Sequence, residues 1–236
     1  MRNYFTFDGR SSSDFGVYLS GTGTYGSPAR AYNMISVPGR NGDLVGIENR
    51  LENVELTYPA FIYANFQANV RALRNYLLSK FGYCRLQDTY HPGEYRKAVY
   101  RGGLDPEVLQ NHRAGSFDIT FECEPQRYLT SGETVTTLTA SGTITNPTLF
   151  ASRPLLRVYG TGILGIGSQS ITILSGAGSP VDIDCEIMEA YQGTVSKNAF
   201  IQLSNYTFPA LQPGANSISL GSGISRVDIT PRWWEV

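Results

Sequence analysis

The sequence predicts a mainly β protein of two domains, and three observations carry that prediction. Short runs of β-branched and aromatic residues recur between clusters of Gly, Pro, Asn and Ser, the spacing of strands and turns. Helical periodicity appears once, over residues 65–81. A stretch punctuated by Pro147 and Pro154 then divides a helix-containing first part from a second part of short strands alone, the rhythm of a β-sandwich. At 236 residues the chain is long enough for two domains that each bury a core.

In the first part, residues 4–9 alternate and stop at an Asp8-Gly9 turn signal. Ser11, Ser12, Ser13 and Asp14 make a polar loop, and 15–19 reads as a strand. Residues 32–37 lead into Pro38, Gly39, Arg40, Asn41, Gly42, Asp43, Leu44 and Val45. Pro-Gly and Asn-Gly this close together mark a tight reversal, because Gly takes positive φ without strain and Asn tolerates it. A projecting hairpin is expected there, with residues 51–58 as the next strand.

The helix is expected over 65–81. Asn65 stands where a cap is wanted, and Phe66, Val70, Leu73, Leu77 and Phe81 share one stripe with Leu78 at its margin. Gly82 follows as a left-handed stop. Burying six such side chains contributes roughly 10 kcal/mol before entropy is counted, so the stripe is a core element and Arg71, Arg74 and Lys80 form a solvated face. Residues 83–87 and 94–100 should pair across Tyr90, His91, Pro92 and Gly93, and 104–115 reads as loop. Phe117, Ile119, Phe121 and Cys123 alternate with polar residues up to Pro125. The first domain is expected at 1–129 and the second at 130–236.

In the second part Val135 and Ile144 suggest edge strands. Residues 146–153 cannot be a helix interior or a central strand, since two prolines bias their neighbours to extended geometry; the stretch reads as the joint into the second domain. Leu155, Leu156, Arg157, Val158 and Tyr159 give its first core strand, closed by Gly160 and Gly162. Val181, Ile183, Cys185 and Ile187 then face one way and Asp182, Asp184 and Glu186 the other.

Charged residues make up 17% of the chain against about 25% in an ordinary soluble domain. A surface poor in charge and rich in Tyr suits burial against copies or partners. The net charge of −1 argues against gripping nucleic acid through phosphates. No run approaches the ~18 apolar residues of a membrane helix, and residues 1–8 lack a signal-peptide core, so synthesis in a cytosol is expected. Cys84, Cys123 and Cys185 are odd in number and far apart, and are read as free thiols. His91 reads as a turn residue and His112 has no metal spacing.

Gly160, Gly162 and Gly165 match G-x-G-x-x-G, but turn and strand follow instead of the helix that a pyrophosphate needs. Asp182, Asp184 and Glu186 could hold calcium or supply a carboxylate pair, although a solvated outer face explains the same alternation and is favoured. Trp233 and Trp234 could stack on a sugar ring, or close a core. No catalytic, cofactor or metal site is assigned.

Taken together, Ser13, Asp14, Phe15, Gly16, the block from Ile35, Ser36, Val37, Pro38, Gly39 through Arg40, Asn41, Gly42, Asp43, Leu44, the single helix and residues 117–125 resemble the first domain of siphophage distal tail proteins. Arg153, Pro154, Leu155, Leu156, then Tyr159, Gly160, Gly162, then Ile183, Asp184, Glu186, Ala190, Tyr191 are similar to the family's second domain. So are Phe208, Pro209, Leu211, Pro213, Gly214, Asn216 and the closing Pro231, Arg232, Trp233, Trp234. The resemblance implies a tail-tube-like β-sandwich or split barrel with one α-helix, followed by a galectin-like β-sandwich. It also implies a non-enzymatic baseplate hub, from a phage or prophage, at the distal end of a non-contractile tail. In that family six first domains form a ring, second domains radiate outward, and DNA passes through the lumen. The partners implied are the tail tube protein, a tail-tip or tail-associated lysin protein and receptor-binding proteins, with the virion tail tip as the location and no membrane. Pro38, Arg40, Asn41, Asp43 and Leu44 are expected at the oligomer interface. A free-standing carbohydrate-binding module for host attachment is the alternative.

Overall fold

Runs that alternate in sequence pair as strands throughout the computed structural model, which describes residues 2–109 and 113–236; His112 lies outside the described residues. The mainly β class is borne out, with one α-helix among the described residues. The chain divides into two units, one running to Arg127 and including Val236, the other Tyr128–Glu235.

In the first unit the strand order is Arg10–Ser11, Phe5–Phe7, Cys84–Asp88, Glu94–Val99, Ala114–Cys123, Val54–Ile62, Val17–Leu19. An Asn3–Leu19 bridge brings the last of these back to the start of the chain, so the sheet curls into a split barrel. Its longest ladder joins Ala114–Cys123 to Val54–Ile62 from Gly115↔Ile62 to Cys123↔Val54. Pro59 sits inside that ladder. Its carbonyl accepts the Ser20 amide, so its missing donor faces the side where Val17–Leu19 ends, which costs the ladder with Ala114–Cys123 nothing. Phe5, Phe7, Tyr58 and Phe121 fill the interior, with the Phe7 and Phe121 rings 5.0 Å apart.

The helix is shorter than its pattern predicts, Phe66–Leu78. Phe66, Val70, Leu73 and Leu77 are buried in the barrel core, whereas Leu78 is exposed and Phe81 is 91% exposed. Asn65 does not cap through its side chain; it is left-handed, with φ 53°, and the helix stops at Ser79. Gly82 is left-handed too, with φ 72°, but it lies beyond the helix. Phe66 reaches the sheet because of Gly115: a Cβ there would stand 2.3 Å from the Phe66 ring and 2.6 Å from the Glu107 carbonyl. Part of the expected loop over 104–115 is in fact strand, Glu107–Leu109 pairing with the start of Ala114–Cys123.

The second unit is a sandwich. One sheet has the order Thr136–Leu138, Ile224–Thr230, Leu155–Gly160, Val181–Asp184, Glu189–Gln192, Val195–Ser196. The other runs Gly142–Asn146, Gly214–Leu220, Gly162–Ile166, Gln169–Ile173, Ile201–Leu203. Leu156, Val158, Ile183 and Val227 of the first meet Leu164, Ile166, Ile171 and Ile218 of the second in one core. The strands around Val135 and Ile144 are edges, as expected. The proline-rich joint, however, lies inside this unit. Asn146 is buried and stitches it: Nδ2 donates to the carbonyls of Phe150 and Leu211, and Oδ1 accepts from the amide and hydroxyl of Thr148. The local proline signal is real, but it marks a folded corner within one core.

Leu73→Ala should destabilise the chain by about 2–5 kcal/mol through the cavity it leaves, while Phe81→Ser should fall within about 0.5 kcal/mol of wild type. Urea unfolding of the full chain followed by circular dichroism measures both.

Candidate assembly surface

Among the described residues the strands Arg30–Ile35 and Leu44–Leu51 pair only with each other. They form an arm with the register Tyr32↔Ile47, Asn33↔Gly46, Met34↔Val45, Ile35↔Leu44. Residues opposite one another share a face, and so do residues two apart along a strand. Tyr32, Met34, Val45 and Ile47 therefore line one side of the ribbon. They are 50%, 58%, 53% and 66% exposed. The register slips between Arg30 and Tyr32, opposite Asn49, whose φ is 53°. This bulge bends the ribbon where it leaves the barrel.

The residues singled out for oligomer contacts stand at the far end. Pro38, Arg40, Asn41 and Asp43 are in the turn, Leu44 opens the second strand, and Gly39 and Gly42 both take φ 81°. Arg40 donates its amide to Val37 at 3.2 Å, and among the described residues neither its guanidinium nor the Asp43 carboxylate has an ionic partner. The tip is polar and the shaft apolar. Local sequence pointed to the tip; the grouping of Tyr32, Met34, Val45 and Ile47 on one face follows only from the register.

The arm's root is tied down. The Tyr90 hydroxyl donates to the carbonyls of Ser20 and Gly21, Gly23 lies on the Tyr90 ring, and the Glu52 amide closes the base by donating to Ala29 at 2.8 Å.

Residues 12–123, which span most of the barrel, its helix and the arm, match the phage tail protein RIFT-related domain family. The first unit carries a phage tail protein domain. Over its full length the chain has the fold of the SPP1 Dit protein, described as a paradigm of the hub adsorption apparatus in phages infecting Gram-positive hosts, with TM-score 0.73, 13% identity and 100% of both chains covered. A chain of the phage p2 baseplate in its activated conformation aligns over 96% of this chain and 97% of its own, at 10% identity and TM-score 0.49. No curated protein sequence matches. The resemblance to siphophage distal tail proteins read from the residues is borne out.

The features of this chain that tempt a chemical reading have structural explanations. Asp182 and Asp184 do not form a solvated stripe; both are buried and paired. Arg157 grips Asp182 through Nε at 2.7 Å and Nη2 at 2.9 Å, and Arg232 grips Asp184 through Nη1 at 2.7 Å and Nη2 at 2.8 Å. Burial alone would push the Asp184 carboxyl up, but the Arg232 guanidinium and the amides of Glu186 and Ile187 outweigh it and hold it below its ordinary value. Among the described residues no cluster of His, Cys, Asp and Glu could hold a metal. The glycine motif serves backbone packing: a Cβ on Gly160 would stand 2.0 Å from the Gly223 carbonyl, and one on Gly165 would meet Ser219 Oγ at 2.2 Å. Burial pushes the Cys123 and Cys185 thiols up to about 12, which makes them poor nucleophiles. Trp233 is buried, and Trp234 stacks on Phe150 at 4.4 Å while donating Nε1–H to Ala151; the pair closes a core.

A carboxylate held below its ordinary value contributes stability above its unfolded pKa, and that contribution is lost as the pH falls through the folded value. Asp184→Asn should therefore cost about 2–4 kcal/mol at pH 7 and flatten the loss of stability below about pH 4, measured by chemical unfolding across pH 2.5–7.

Proposed function

We propose that this chain is a structural hub protein whose first unit assembles into a hexameric ring at the distal end of a non-contractile phage tail. The ring joins the tail tube to tail-tip or tail-associated lysin and receptor-binding proteins. The second unit is its galectin-like sandwich, and DNA passes through the lumen without being held. The arm carries this reading. A two-stranded ribbon is marginal in water by itself, and this one presents Tyr32, Met34, Val45 and Ile47 on a single uncovered face. Six copies around an axis allow each arm to lay that face on its neighbour, with Arg40 and Asp43 finding opposite charges there. A net charge of −1 gives the lumen wall no basic excess with which to retain phosphates.

Met34→Asp combined with Ile47→Lys should convert the ring to monomers, and Arg40→Ala combined with Asp43→Ala should raise the concentration for half-assembly about tenfold. Light scattering after gel filtration reads the mass, in the presence of the tail tube protein. A mass unchanged by the shaft variants would remove the arm from assembly.

A further inference from the structure

The barrel encloses a second feature at the root of the arm. Thr24 Oγ1, His91 Nε2, Arg96 Nη2 and Arg127 Nε are buried without a hydrogen-bond partner, and these four residues line one cavity of about 20 Å³. Only Ser152 Oγ shares that condition among the described residues. Buried polar atoms are ordinarily satisfied, so four orphans converging on one space describe a ligand's outline.

The charges say which ligand. Arg96 is 6% exposed, and its Nη1 reaches only the main-chain carbonyls of Glu124 and Pro125. Among the described residues no carboxylate forms an ion pair with it. Burial pushes its guanidinium down from the ordinary arginine value, and the neighbouring Arg127 pushes it further down. Arg127 touches Glu94 at 3.5 Å through Nη1, leaving Nε for the cavity. Asp88 is taken up by the Tyr58 hydroxyl at 2.7 Å, His91 Nδ1 at 3.0 Å and the amides of Tyr90 and His91. A buried cation without a partner is costly, and an acceptor between the two guanidinium groups removes that cost.

We propose that this cavity binds one monatomic anion of the chloride class, held by Arg96, Arg127, Thr24 and His91. The space admits a water-sized atom, and a halide is the single-atom anion that fills it. With Nδ1–H given to Asp88, the His91 ring lines the cavity with Nε2. The charged groups facing that ring are Asp88 on one side and Arg96 and Arg127 across the cavity, with Glu94 behind Arg127. Because Thr24 belongs to the segment that leads into the arm at Arg30, the anion fixes the angle at which the arm leaves the barrel.

The full chain is heated in sodium gluconate progressively replaced by sodium bromide at constant ionic strength. A saturable rise in Tm of about 5 °C, absent in Arg127→Gln, is expected. Bromide should also slow amide exchange over residues 21–29. Crystals grown in bromide give an arm of the test independent of any variant's folding: an anomalous peak between Arg96 and Arg127 establishes the site. An ordered water there with no anomalous signal, or a Tm indifferent to halide, overturns it. Neither readout depends on ring formation, so failure here leaves the hub reading standing and the reverse also holds.

Discussion

A β-ribbon that, among the described residues, has no third strand and leaves Tyr32, Met34, Val45 and Ile47 exposed is the constraint on which the rest of this protein depends. The remaining large strands of the first unit bury their apolar side inside the barrel, where Phe5, Phe7, Ile119 and Phe121 are almost fully covered. The arm has no such interior. Its backbone is satisfied by its own ladder, but Tyr32, Met34, Val45 and Ile47 remain in water at a free-energy cost that only another surface can relieve. The barrel accordingly holds the root rigid and leaves the shaft free. Tyr90, Glu52 and the Asn49 bulge define where the ribbon starts; nothing within the first unit defines where it ends.

The low charge of the chain acquires a location from this arrangement. In the second unit charges are spent on pairs within one sheet, Arg157 with Asp182 across neighbouring strands and Arg226 with Asp228 two residues along a single strand. Such pairs stiffen a sheet face by bidentate geometry more than they stabilise it, since the partners are partly solvated. Exposed large apolar residues occur in both units, but in the arm Tyr32, Met34, Val45 and Ile47 stand together on one face of a ribbon. A clustered apolar face of this kind suits association better than single exposed side chains do.

Much of this was legible in the residues. Period-two alternation marked residues 117–123, the four-residue stripe marked the helix, and Pro-Gly with Asn-Gly marked the arm's turn, because each signal is local and sterically enforced. What stayed hidden was long-range. The partners of Asp182 and Asp184 stand 25 and 48 residues away, so a paired ladder looked like a solvated stripe. Phe81 fits the helical period, but the helix has already stopped at Ser79, and periodicity carries no information about where the covering surface ends. The proline pair at 147 and 154 correctly excluded regular structure and wrongly implied a boundary, since a corner within a domain and a link between domains use the same residues. The cavity at the arm's root draws on Thr24, His91, Arg96 and Arg127, and no local pattern joins them.

The same physics bears on why a hub should have a rigid root and an unfinished shaft. A ring closes only if each contact repeats at one angle; a ribbon free to swing at its base would pair just as well in an open chain of copies. Tightening the base therefore selects the closed product without adding a single contact to the interface. Tyr90 and the Glu52–Ala29 bond contribute to this through neutral hydrogen bonds, which are short-ranged and indifferent to solution conditions. A charged centre beneath Thr24 would add the one component of the root that responds to its surroundings, and it sits on the segment where a small rotation becomes a large displacement at Arg40 and Asp43.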